Sequence, residues 1–124
     1  MPKPTITFDT LCEVGRNFPG VEQDVAYGKP ALKLNGQILA CVPAHRSAEP
    51  GSVVVRVDIA DRNELLAAAP ETYYVTDHYC NHSSVLVRLD RLDLGTARDL
   101  LGVAYKFLSK TNAAKRKAKR KSRG

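Results

Sequence analysis

An α+β sandwich, an antiparallel β-sheet with the helices of the two chain ends packed on one face, is the architecture this sequence predicts. Three observations carry that reading. Apolar residues recur at helical spacing near both ends of the 124 residues, at Phe8, Leu11, Cys12, Gly15 and Phe18 and again at Ala97, Leu100, Leu101, Ala104 and Leu108. Between these stripes the period drops to two, the signature of half-buried strands. The period-two runs follow one another through short turn signals, and strands joined that way pair antiparallel.

The first helix is expected over 8–17, with the Thr7 hydroxyl accepting from its first turn. Phe18-Pro19-Gly20 closes it as a helix-to-strand corner, because proline removes a donor and glycine permits a sharp reversal. From Val25 the pattern alternates, and Asn35-Gly36 between the runs 31–34 and 37–42 is the pair best suited to a tight hairpin. Gly28-Lys29-Pro30 reads as a structural turn into that hairpin; it lacks the glycine spacing and hydroxyl of a phosphate-binding loop. A loop over 43–52 precedes a strand at 53–58. Asp61 and Glu64 have the spacing of a capping box for a short helix at 62–69, stopped by Pro70. Strands at 72–76 and 84–89 lead to the last helix, capped by Asp93.

Composition bounds the function. A chain of this length fits one domain with one core. No apolar run could cross a bilayer, the opening residues lack the core of a secretion signal, and Cys12, Cys41 and Cys80 are an odd, widely spaced set. The expected compartment is the cytoplasm, with reduced thiols, of which Cys12 and Cys41 serve as small buried hydrophobes. The net charge of +6 is unevenly placed: eight of the 19 basic residues lie in 110–124 without an acid, leaving 11 against 13 acids, so residues 1–109 carry −2. We therefore expect a folded domain over 1–109 and a basic, disordered tail over 110–124.

Several patches, in order, resemble the YjbR or MmcQ-like family: Pro19-Gly20 with Glu22, Tyr27-Gly28-Lys29-Pro30, Asn35-Gly36, Tyr74-Val75-Thr76-Asp77-His78-Tyr79, and Val85-Leu86-Val87-Arg88-Leu89. The resemblance covers residues 8–108 and implies the CyaY-like fold together with a DNA-binding role. Iron handling by relatives of that fold uses acids clustered along a helix, and the first helix here offers only Asp9 and Glu13. The basic tail lies outside the resemblance.

Two features could contact a ligand. If the alternating apolar residues, among them Leu32, Val55, Val75, Val87 and Leu89, face the helices, then Lys33, Arg56, Tyr74 and Arg88 share the opposite face. Cations interleaved with an aromatic suit phosphates and bases, although Asp58 and Asp90 nearby dilute the charge and a solvated sheet face fits as well. In the tail, Lys115, Arg116, Lys117, Lys119, Arg120, Lys121 and Arg123 favour a polyanion through counterion release, and Ala113, Ala114 and Ala118 would permit a helix there. The alternating His78, Cys80 and His82 would share one side of an extended strand, but zinc wants four ligands and the paired spacings are absent. No catalytic residue, metal or cofactor is assigned. The sequence points to a non-enzymatic nucleic-acid-binding domain, for DNA or RNA and not for a membrane, with a protein-interaction or small-ligand module as the alternative.

Overall fold

The computed structural model describes the backbone of residues 6–121 and the side chains of residues 6–110. Helix α1 (Phe8–Gly15) starts at Thr7, whose hydroxyl accepts from Thr10 N–H while the Thr10 hydroxyl accepts from Thr7 N–H, a reciprocal cap. Strands β1 (Val21–Ala26), β2 (Lys29–Leu34), β3 (Gln37–Cys41) and β4 (Ser52–Arg56) follow. Then come α2 (Ile59–Ala68), β5 (Tyr73–Tyr74), β6 (Ser84–Arg88), a single 3₁₀ turn (Leu89–Arg91) and α3 (Leu94–Lys121). The six strands form one antiparallel sheet in the order β1-β2-β3-β4-β6-β5.

All three helices sit on one face. Leu11, Cys12 and Val14 of α1, Leu65 and Leu66 of α2, and the full α3 stripe of Ala97, Leu100, Leu101, Ala104 and Leu108 pack with Leu32, Leu34, Val53, Val55, Val57, Tyr73, Val85 and Val87 of the sheet. A register irregularity between Leu32 and Lys33 lets two successive β3 residues, Leu39 and Ala40, join this core. Leu89 packs against it too, whereas Val75 lies beyond the end of β5 and joins neither core cluster.

Four local expectations differ from the structure. The α2 cap is Asp58, not Asp61, and it makes no side-chain cap hydrogen bond: the helix starts one turn earlier, within range of its Asp61 carboxylate at the positive end. Strand β1 is a whole extra edge strand whose four central residues are exposed, so it has no alternation to read. It joins β2 through a tight turn at Tyr27 (φ 55°) and Gly28 (φ 75°), one residue ahead of the turn expected at Gly28-Lys29-Pro30, with Lys29 and Pro30 already paired in β2. Finally, the α3 backbone runs through the boundary expected at 109 as far as Lys121, because alanine, lysine and arginine are strong helix formers extending a helix already nucleated. Residues 122–124, Arg123 among them, and the side chains from 111 onward lie outside the described residues.

Asp93 caps α3 as expected, accepting from Thr96 N–H at 2.7 Å. No helix among the described residues is long and apolar enough to cross a membrane.

Candidate functional site

The face away from the helices has an apolar floor fixed by register. Ala31, Cys41, Val54, Leu86 and Tyr74 are successive cross-strand partners, one row across five strands. Two loops wall this floor, residues 42–51 after β3 and residues 75–83 before β6. They are tied together by Ser47 Oγ and Thr76 Oγ1 at 2.8 Å and by His45 N–H donating to the Tyr79 hydroxyl. Between walls and floor lies a pocket of about 490 Å³, within the roughly 300–1,000 Å³ typical of small-molecule sites.

Its lining brings together all three histidines of the chain, His45, His78 and His82, with Arg56, Tyr27 and Tyr79 over Ile38, Cys41 and Val54. The segment 77–82 is not the extended strand that would align His78, Cys80 and His82. Thr76 C=O accepts from both Tyr79 N–H and Cys80 N–H, a helical turn that puts i and i+4, His78 and His82, on one side. Cys80 is left out, its thiol donating to Asp77 C=O. His45, 33 residues upstream, is the member that sequence reasoning missed; no local spacing links it to the others.

His45 and His78 stack with centroids 3.6 Å apart and ring planes 6° off parallel, and Tyr79 meets His78 edge-on at 4.8 Å. Ser47 N–H donates to His45 Nδ1 at 3.1 Å, so that nitrogen is an acceptor and Nε2 carries the proton. Desolvation, with His78 and Arg46 nearby, holds the His45 pKa below its ordinary value, in keeping with a neutral ring. Burial pushes the Cys41 thiol up against the opposing pull of Arg56, which makes it a poor nucleophile. Beneath the wall, the buried Arg62 donates from Nη1 to the carbonyls of Cys80 and His82 at 3.0 Å each and of Ser84 at 3.5 Å, pinning the histidine-bearing loop.

Lys33, Arg56, Tyr74 and Arg88 do share the open face's side of the sheet, yet they do not make one patch. Arg56 and Arg88 pair with opposite ends of the β4–β6 ladder, about 13 Å apart over four strand steps. Arg88 is engaged by Glu49 through both carboxylate oxygens, at 3.2 and 2.7 Å, and lies 4.4 Å above the Tyr74 ring. Tyr74 has its hydroxyl bound by Glu49 N–H and Ser52. Lys33 pairs with Asp24 at 3.5 Å. The acids in direct contact with these cations are thus Asp24 and Glu49, while Asp90 acts on Arg88 through space, as its nearness in sequence suggests. Arg56 alone of the four lines the pocket; its Nε donates to Ser83 C=O, and among the described residues no carboxylate pairs with it. Among those residues, too, no three of His, Cys, Asp and Glu are placed to hold a metal ion.

These features define an open-faced α+β sandwich with an aromatic, weakly cationic pocket on its uncovered side. The chain belongs to the YjbR family, whose model matches residues 16–107, within the span of the sequence resemblance and short of the basic segment. The crystal structure of Deinococcus radiodurans protein DR2400, with a DUF419 domain, has the same fold: TM-score 0.66 and 20% identity over 85% of this chain and 80% of that one. No curated protein matches the sequence.

Proposed function

We propose that this chain is a non-enzymatic nucleic-acid-binding domain in which the basic end of α3 supplies most of the affinity and the open face contacts the bound strand. The observation that carries this reading is the placement of charge. Seven of the eight basic residues of 110–124 fall within 110–121, about 18 Å of helix at a rise of ~1.5 Å per residue, with no acid among them. Such a charge density displaces condensed counterions from a phosphate backbone, which is spaced at about one charge per 1.7 Å in a duplex. The body, at −2, has no comparable density. Of the four candidate residues, Arg56 is the cation that no acid engages among the described residues, so Lys33, Tyr74 and Arg88 serve the sheet rather than the ligand.

A second reading, a small-ligand module with no nucleic-acid role, is favoured by the pocket itself. Fluorescence anisotropy at low salt separates the two, using labelled DNA and RNA and a full-length variant with Lys115, Arg116, Lys117, Lys119, Arg120, Lys121 and Arg123 all changed to glutamine. The unaltered chain should bind and the variant should bind at least about tenfold more weakly. No binding by the unaltered chain would sink the first reading and leave the second.

A further inference from the structure

We propose that the open-face pocket receives one unpaired nucleobase with its adjoining phosphate, so that the domain prefers single-stranded to duplex nucleic acid. This rests on the nucleic-acid reading above and names what the pocket takes.

The leading observation is Tyr27. The chain makes two tight hairpin turns with the same pair of positive φ angles, Asn35-Gly36 at 51° and 83° and Tyr27-Gly28 at 55° and 75°. Asparagine tolerates the left-handed region and is the favoured residue there; a bulky tyrosine is an outlier that stores strain. Burial does not explain it, because Tyr27 is 82% exposed. An aromatic ring is held in water, at a backbone cost, on the rim of the pocket. Strain of this kind gathers at ligand clamps.

The rest of the lining suits a flat, partly anionic guest. The His45–His78 stack with the edge-on Tyr79 gives the pocket an aromatic wall, Ile38, Cys41 and Val54 give it an apolar floor, and the exposed Tyr27 ring supplies a face to stack on. Aromatic faces of this sort stack on any base, whatever its identity. At the polar end, Arg56 has no acidic partner among the described residues and His45 presents Nε2–H, donors suited to a phosphate. In a duplex both faces of every base are already stacked, so only an unpaired base can enter.

Tyr27→Asn tests the inference without the confusion of unfolding, since asparagine relieves the turn while deleting the ring. Anisotropy with the full chain is compared on one oligonucleotide, alone and annealed to its complement. Tyr27→Asn should weaken single-strand binding about 5- to 160-fold, as expected for losing one stacked base, and leave duplex binding unchanged. Tyr27→Phe, which keeps the ring, should keep the preference. Equal binding of both forms, unmoved by Tyr27→Asn, would overturn the pocket assignment while nucleic-acid binding stands; failure of the unaltered chain to bind either form would remove both.

Discussion

Replacing Arg62 by methionine removes a guanidinium and keeps most of its aliphatic volume. The side chain is 8% exposed and has no carboxylate partner among the described residues; carbonyl oxygens of Cys80, His82 and Ser84 solvate it instead. Hydrogen bonds to a charged group contribute about 1.5–3 kcal/mol each, so the two at 3.0 Å amount to roughly 3–6 kcal/mol. Part is returned, because the exposed His82 region can turn its carbonyl to water and because Arg62 Nε is itself buried without a partner. The net loss should be about 2–4 kcal/mol, or a fall in Tm of about 8–16 °C for a domain of this size. Urea and thermal unfolding measure it, and NMR should show the largest shifts at the amides of 77–84. Arg62→Lys, with a single nitrogen able to donate to more than one carbonyl, should fall between. A loss below about 0.5 kcal/mol for Arg62→Met, within the range of ordinary surface substitutions, would refute the claim that Arg62 holds the pocket wall.

Two further perturbations probe the frame around the site. A methyl at Gly15 would sit 2.7 Å from Leu32 Cδ1, and Leu32 is fully buried, so Gly15→Ala should destabilise by about 1–2 kcal/mol once the better helix propensity of alanine is allowed for; urea midpoints check this. The hydrogen bond from Arg88 holds the Glu49 carboxyl below its ordinary value of 4.5, so its stabilising effect is complete above that value and is lost as pH falls through the lower folded pKa. Glu49→Gln should therefore be less stable than the parent near pH 7, with the two converging in acid, as unfolding curves at stepped pH would record.

The parts of the fold that were legible in the sequence are those where one local signal decides. Asn35-Gly36 admits little but a tight hairpin, the stripe from Ala97 to Leu108 demands a covered helix face, and the two-residue repeat of an extended backbone places Arg56 and Arg88 on the side opposite Val53, Val55, Val85 and Val87. Where the deciding term is non-local, the sequence was silent. Strand β1 buries only its end residues Val21 and Ala26 and is set chiefly by its ladder to β2, and the turn at Tyr27-Gly28 defies the usual preference. Charge availability was misjudged for the same reason: Arg88 meets Glu49 from 39 positions away, and Lys33 meets Asp24 across a strand pair. The pocket depends on His45 arriving from another loop, which periodicity cannot report.

The most direct test of the account is the salt dependence of binding to a single-stranded oligonucleotide, for the full chain and for the variant with seven glutamines in place of the basic residues at 115–123. If those seven cations neutralise phosphates, the slope of log K against log salt should be shallower in the variant by up to about 5, at ~0.7 per contact, with Tyr27 still favouring the single strand. Equal slopes for the two chains would contradict the account, because the basic end of α3 would then make no phosphate contacts.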